Sequence, residues 1–227
     1  MSIPPDSSAR PAEDRRFQAV VFDMDGVLLD SEPLHHIVLN NVLATEGRHL
    51  SFEEYRPYIG TTLEYTWSDV IRRFDLKGPV DQYILRYDEG ILDSYRLHSV
   101  IAPGVRQLLD LLTQRGVRRA VASSSRTSWV EAALGTLGIR ADFELIVTGD
   151  MVTHSKPHPE IYQLAAERLS LDPRLCLAVE DSPAGTASAT AAGMTVVGIR
   201  TEYTRGATLS GATVVLDTLD EFPGELL

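Results

Sequence analysis

Two aspartates and a glycine follow the first apolar segment of the chain. Residues 18–22 are few and rich in valine, which is typical of a strand buried on both faces. Asp23 and Asp25 come directly after this segment, where Gly26 permits a tight turn. Acidic side chains are rarely buried unless they are paired or bind a cation, which favours a site here. A turn or helix-cap role for Asp23 is the alternative, and an isolated Asp-x-Asp-Gly does not decide between the two.

Further polar residues follow other strand-like segments or precede a helical one. Three serines stand after residues 119–122, and the pair Glu180 and Asp181 stands after a later segment of the same kind. Lys156 comes just before a helical pattern. Only two of the 21 basic residues are lysines, so the use of lysine at this position calls for a reason, whereas chance explains Lys77.

These residue types suit a phosphoryl group bound beside a divalent cation. Carboxylates from two strand ends, Asp23 and Asp181 with Glu180 beside them, form the hard-oxygen pocket that Mg²⁺ prefers. No cysteine or histidine pair supplements them, as a Zn²⁺ site would require. The Ser123 hydroxyl and the Lys156 ammonium supply a donor and a cation for phosphate oxygens. An aspartate can also act as a covalent nucleophile toward phosphorus.

The elements around these residues predict an α/β fold, a Rossmann-like parallel sheet with helices on both faces. From residue 102 onward, strand-like segments alternate with helical ones, as right-handed crossovers between parallel strands require. Residues 31–100 show helical periodicity throughout and open one helix with a capping box, Ser51 and Glu54. Ligands of such sheets bind at the carboxyl ends of the strands, where all four polar clusters fall. The site interpretation is therefore preferred to solvated loops.

Composition narrows the class of protein. A formal net charge of −11 over 227 residues argues against a nucleic acid or an anionic membrane as partner. No run of apolar residues is long enough to span a membrane. The single cysteine, Cys176, excludes an internal disulfide and predicts a cytoplasmic location. Residues 1–16 hold three prolines and no apolar run, which predicts a flexible tail rather than a signal peptide.

Four short segments carry a family resemblance. They are Asp23-Met24-Asp25-Gly26, Ser123-Ser124-Ser125, Ser155-Lys156-Pro157 and Glu180-Asp181-Ser182, in that order. The chain resembles the haloacid dehalogenase superfamily, in particular its helical-cap group of β-phosphoglucomutases and sugar-phosphate or phosphoglycolate phosphatases. The resemblance extends over everything after the tail. It implies a catalytic core of residues 17–32 and 101–227 with an inserted all-helical cap domain, residues 33–100.

The resemblance also implies catalytic roles. Asp23 would be the nucleophile that forms an aspartyl-phosphate. Asp25 would be the general acid/base that protonates the leaving oxygen and then activates water. Ser123 would hydrogen-bond the transferring phosphoryl group, and Lys156 would balance its charge and orient Asp23.

Mg²⁺ is the implied cofactor. Asp23 and Asp181 would bind it through their carboxylates, Asp25 through its backbone carbonyl, and Glu180 either directly or through water. For Asp150, a position behind Lys156 and a plain turn are equally compatible with the sequence.

The resemblance further implies contacts with the substrate. Gly26, Ser124, Ser125 and Arg126 are candidates near the phosphate, although Ser125 could instead cap the following helix. His35 falls where mutase-like members carry a cap histidine, and a core or surface position is the alternative.

The expected function is a Mg²⁺-dependent phosphatase, acting as a monomer on a small phosphorylated metabolite such as a sugar phosphate or a phosphoglycolate-like compound. A phosphosugar mutase of the β-phosphoglucomutase type is the main alternative. It is disfavoured because Leu63 stands where the mutase has a phosphate-binding arginine, and Arg86 is no clean match for its cap lysine. A non-catalytic binding module on the same fold is the third possibility.

Overall fold

A six-stranded sheet, parallel throughout, forms the centre of the structure. The computed structural model describes residues 17–227. The strands are β1 (Ala19–Phe22), β2 (Arg118–Ser123), β3 (Leu145–Thr148), β4 (Cys176–Glu180), β5 (Thr195–Ile199) and β6 (Ala212–Leu216). They lie in the order β3-β2-β1-β4-β5-β6, so the chain order reverses direction at β1. Such a switch point is where parallel sheets bind their ligands.

Helices pack against both faces of this sheet, as the sequence predicts. In chain order they are α1 (Glu32–Ala44), α2 (Phe52–Tyr55), α3 (Leu63–Phe74), α4 (Val80–His98), α5 (Val105–Gln114), α6 (Thr127–Leu137), α7 (Glu160–Arg168) and α8 (Pro183–Ala191). Side chains of β1 alternate between the two faces: Val20 and Phe22 pack in one apolar cluster, and Ala19 and Val21 in another. The first cluster includes α5 and α6, and the second includes α7 and α8.

Helices α1 to α4 form one segment between β1 and α5, without a strand in residues 32–98. The Ser51 side chain accepts from the Glu54 N–H, and the Glu54 carboxylate accepts from the Ser51 N–H, which is the predicted capping box. Trp67 is fully buried and stacks on Tyr83 with ring centroids 5.4 Å apart. This aromatic pair packs within the helical segment and belongs to the same apolar cluster as Val20 and Phe22.

Two linkers join the helical segment to the sheet. They run side by side, since Leu29 and Ile101 form an antiparallel bridge and the Ala102 N–H donates to the Leu28 carbonyl at 2.9 Å. The division into a core and a cap domain stays a prediction.

The two strand-like segments bounded in the sequence, residues 18–22 and 119–122, are observed as β1 and β2 and lie within one residue of them at each end. The sequence predicts that Ser123 and Glu180 follow their strands, but they are the last residues of β2 and β4. They extend the strands because they pair with Thr148 and Gly198. The predicted tail, residues 1–16, lies outside the described residues. Within residues 17–227, no helix is long and apolar enough to cross a membrane.

Replacing Trp67 by alanine tests the core of the helical segment. Loss of a buried tryptophan should lower the free energy of unfolding by about 3–5 kcal/mol. Tyr65 lies on the same helix with 58% of its surface exposed, so Tyr65→Ala is the matched control and should change it by less than about 0.5 kcal/mol. Urea denaturation of both variants makes the comparison, and equal midpoints would contradict the packing described.

Candidate active site

The ends of three strands meet at the middle of the carboxyl edge of the sheet. Phe22 is in register with Val121 of β2 on one side and with Val179 of β4 on the other. Asp23 follows directly, and its N–H donates to the Val179 carbonyl at 2.9 Å. The last residues of β2 and β4 therefore flank Asp23.

The ammonium of Lys156 connects these strand ends. Its Nζ donates to Asp23 Oδ1 at 2.7 Å, to Glu180 Oε1 at 2.6 Å and to the Ala122 carbonyl at 3.0 Å. These contacts use all three N–H groups of the ammonium. The Lys156 and Asp23 side chains are 8% and 9% exposed, and that of Glu180 is fully buried. The result is a buried cation between two carboxylates from different strands.

Glu180 accepts several further hydrogen bonds. Its Oε1 also accepts from the Tyr162 hydroxyl at 2.7 Å, and its Oε2 accepts from the Asp181 N–H at 3.1 Å and the Ser182 hydroxyl at 3.2 Å. Ser182 is the N-cap of α8, whose positive end stabilises a carboxylate. The shortest contacts of Glu180 are thus to Lys156 and Tyr162, and its predicted contact with Mg²⁺ stays a prediction.

Two glycines allow the carboxylates to pack this closely. A Cβ at Gly26, where φ is +78°, would lie 2.1 Å from Asp181 Oδ2, and one at Gly185 would lie 1.9 Å from the Glu180 carboxyl. A larger residue at either position would displace a carboxylate. Gly26 is predicted to contact substrate; in the structure its N–H donates to the Leu29 carbonyl at 2.9 Å.

The pocket carries more negative than positive charge. Burial raises the pKa of Asp23 to about 7, with Glu180 and Asp25 adding to the shift and Lys156 opposing it. Burial, Glu180 and Asp23 likewise raise the pKa of Asp181 well above its ordinary value. Burial alone would lower the pKa of Lys156, but the two carboxylates outweigh it and raise that pKa. Asp23, Glu180 and Asp181 place carboxylate oxygens within 4.8 Å of one another. This oxygen set and its surplus charge fit Mg²⁺.

Asp25 is contacted from both the sheet and the helical segment. Its Oδ1 accepts from the Tyr95 hydroxyl of α4 at 2.9 Å, and its Oδ2 accepts from the Ser125 hydroxyl at 2.8 Å. His35 Nε2 lies 4.0 Å from Asp25 Oδ1. Because Ser125 binds Asp25 and Arg126 is the N-cap of α6, the helix-cap alternative for Ser125 is excluded.

His35 lies in an aromatic cluster, which excludes the surface alternative. Its ring contacts Tyr87, Tyr95 and Trp129 with centroids 5.8–6.1 Å apart. Its Nδ1 is hydrogen-bonded to the Tyr87 hydroxyl, and its Nε2 to the Tyr95 hydroxyl at 2.9 Å. Burial lowers the pKa of His35 although Asp25 opposes this, so the neutral ring is favoured. A contact between His35 and substrate stays a prediction.

The three serines at the end of β2, residues 123–125, differ in their burial and in their contacts. Ser123 is fully buried, and its Oγ accepts from the Ser125 N–H at 3.1 Å, which leaves its hydroxyl hydrogen free to donate. Ser124 is exposed. Arg126 donates to Asp88 Oδ2 of α4 at 3.0 Å, so it bridges the core and the helical segment.

Asp150 and Arg86 have partners outside the pocket. Asp150 Oδ2 accepts from the Thr127 N–H at 2.7 Å, at the start of α6. The position beside Lys156, which the sequence leaves open for Asp150, is occupied by Glu180. Arg86 lies 3.8 Å from Glu46.

Sequence reasoning missed Tyr95 and Tyr162, the hydroxyl donors to Asp25 and Glu180. Both lie within amphipathic helices, and their inward-facing positions are the signal that could have identified them.

Comparisons with known proteins agree with this architecture. The sequence profile of a family described as haloacid dehalogenase-like hydrolase matches residues 20–199. Protein CbbY of Rhodobacter capsulatus is 35% identical over 207 residues, covering 86% of this chain and 90% of that protein. Hexitol phosphatase B of Escherichia coli K12 is 31% identical over 182 residues, covering 79% and 82%. The crystal structure of a mutant CbbY from Rhodobacter sphaeroides in complex with xylulose-(1,5)bisphosphate matches with a TM-score of 0.79 and 29% identity, covering 90% and 96%.

The two lysines of the chain offer a matched test of the buried ion pair. Lys156→Met would leave two buried carboxylates without their cation, so the free energy of unfolding of the metal-free protein should fall by about 3 kcal/mol. Lys77 pairs with Asp75 at the surface, and Lys77→Met should change it by less than about 0.5 kcal/mol. Urea denaturation measures the free energy of unfolding of both variants. An equal effect of the two substitutions would show that the buried ion pair stabilises the protein no more than the surface pair does.

Proposed function

The chain belongs to the haloacid dehalogenase-like hydrolase family and is a phosphoric monoester hydrolase, and we propose that it hydrolyses a small phosphorylated metabolite through an aspartyl-phosphate. The bridge from Lys156 to Asp23 and Glu180 is the observation that most supports this proposal. It fixes a nucleophilic carboxylate at a strand end and sets a cation where phosphate charge must be offset.

Asp23 is the proposed nucleophile and Asp25 the proposed acid/base. An Asp23 oxygen forms a bond to phosphorus while the bond from phosphorus to the leaving oxygen breaks, and Asp25 protonates that oxygen. Asp25 then takes a proton from the water that attacks the aspartyl-phosphate. This second step releases inorganic phosphate and returns Asp23 as a carboxylate. Ser123 donates to a phosphoryl oxygen, and Lys156 offsets its charge.

Mg²⁺ is the proposed cofactor. Asp23, Asp181 and the Asp25 carbonyl would hold it, and Glu180 would do so directly or through water. When bound, the ion offsets the repulsion between an anionic nucleophile and an anionic substrate. The raised pKa values of Asp23 and Asp181 support a cation here, because burial first, and then the neighbouring carboxylates, disfavour negative charges that a bound cation would stabilise.

A sugar phosphate or a phosphoglycolate-like compound is the proposed substrate. Relatives named for hexitol phosphate hydrolysis, or crystallised with xylulose bisphosphate, support the carbohydrate class. Hydrolysis is favoured over a mutase reaction because Leu63 cannot anchor a second phosphate and Arg86 lies beside Glu46. A monomer in the cytoplasm is proposed, and the single cysteine, Cys176, which is a free and buried thiol, supports the location.

Phosphate release from a panel of sugar phosphates tests the proposal. Activity should require Mg²⁺, vanish with EDTA and need no bisphosphate activator. Asp23→Asn should abolish it, and Asp25→Asn should lower kcat by about 10²–10⁴-fold. The control is Asp93→Asn on the surface of α4, which should keep the wild-type rate. Full activity of Asp23→Asn would refute the covalent route. Isomerisation of the substrate without phosphate release would establish the mutase reaction instead.

Tyr95→Phe tests whether the Tyr95 hydroxyl positions Asp25. Removing one hydrogen bond to this carboxylate should lower kcat up to about tenfold, because Asp25 loses orientation, while KM stays unchanged. Tyr65→Phe, on the exposed side of α3, is the control. An effect on KM alone would assign Tyr95 to substrate binding instead.

A further inference from the structure

A second cluster of metal-ligating side chains lies on the exposed side of the Lys156 loop. His154, His158 and Glu160 each place a ligand atom within 4.8 Å of the others. His154 Nδ1 is 2.8 Å from Glu160 Oε2, and His158 Nδ1 is 3.8 Å from the same oxygen. The two imidazole centroids are 4.5 Å apart. None of these residues has a part in the mechanism above.

The backbone holds the Glu160 carboxylate in place. Its Oε1 accepts from the Thr153 N–H at 2.8 Å, and its Oε2 accepts from the His154 N–H at 2.9 Å. The Thr153 N–H foremost, then the His154 side chain and the His154 N–H, lower the pKa of Glu160 to about 2. The His158 N–H donates to the Ser155 carbonyl at 3.0 Å, and this turn brings the two histidines together. An ionised carboxylate is thus fixed between two imidazoles.

The separations suit a tetrahedral ion after small rotations of the rings. Bonds of about 2.0–2.2 Å to Zn²⁺ place neighbouring tetrahedral ligand atoms about 3.3–3.5 Å apart. The histidine side chains are 63% and 50% exposed, so their rings can turn into that range. Binding through His158 Nδ1 would replace only a long hydrogen bond, 3.3 Å from the Glu160 N–H.

The chemistry of the set selects among metal ions. Two imidazoles and one carboxylate with an open fourth position are typical of Zn²⁺. Mg²⁺ instead prefers oxygen ligands in octahedral geometry, which the pocket around Asp23 offers. The two clusters therefore differ in the ion that they favour.

We propose that His154, His158 and Glu160 bind one Zn²⁺ ion, separate from the acidic pocket of Asp23, Glu180 and Asp181. Lys156 and Pro157 lie between the two histidines in the chain. The ion would therefore bind the exposed side of the loop whose buried lysine holds Asp23.

Calorimetric titration of the metal-free full chain with ZnCl₂ in excess Mg²⁺ tests the site. One equivalent should bind, and His154→Ala and His158→Ala should each weaken binding more than about 100-fold, since loss of a direct ligand exceeds that of an outer partner. His49→Ala, a surface histidine of the helical segment, should bind like wild type. In the same protein, Co²⁺ should give the intense visible bands of a tetrahedral ion, and the His154 and His158 variants should lose them.

Asp181→Ala separates the two clusters without any activity measurement. It removes a carboxylate of the acidic pocket and should leave Zn²⁺ binding unchanged. Zinc binding that is absent, that survives both histidine substitutions, or that disappears in Asp181→Ala would overturn the proposal. Because no substrate is used, the result is independent of the phosphatase proposal.

Discussion

The buried ammonium of Lys156 is the interaction on which the arrangement of the site depends. A side chain that is charged and only 8% exposed is stable only when it is paired and fully hydrogen-bonded. Its partners here are Asp23, directly after β1, Ala122 of β2 and Glu180 of β4. Arginine could not replace this lysine, because the N–H groups of a planar guanidinium all lie in one plane. They cannot reach three acceptors that surround a single nitrogen atom. The carboxylates of Asp23 and Glu180 stabilise the buried ammonium, and the ammonium in turn orients the Asp23 carboxylate for the proposed reaction.

The negative charge around this ammonium is concentrated by backbone geometry. Gly26 and Gly185 leave no side chain between the strand ends, so Asp181 and Glu180 approach the backbone at distances that a Cβ would prevent. The N-terminus of α8 offsets part of the charge on Glu180. The remainder on Asp23 and Asp181 is what a divalent ion would neutralise. The close packing that the two glycines allow is therefore what concentrates negative charge at this edge of the sheet.

The sequence predicted the class and order of the elements because strand and helix periodicities alternate cleanly after residue 102. It also predicted which strand ends would meet, since parallel strands bring their carboxyl ends to one edge. An amphipathic pattern indicates which side of a helix faces inward, but it could not predict which partner an inward-facing side chain meets. Tyr95 reaches Asp25 across 70 residues, Arg126 pairs with Asp88 of α4, and Asp150 binds Thr127 rather than Lys156. Each of these contacts joins residues far apart in the chain, and no local sequence pattern encodes which of them meet.

The two tryptophans lie on different sides of the junction between the helical segment and the sheet. Trp67 stacks on Tyr83 within the segment, whereas Trp129, on α6, packs against Tyr87 and Tyr95 across the junction. Any separation of the two parts would move the Trp129 indole from an apolar setting into water and leave that of Trp67 unchanged. The two indoles would therefore respond differently to such a separation, Trp129 by a change in its fluorescence and Trp67 by none.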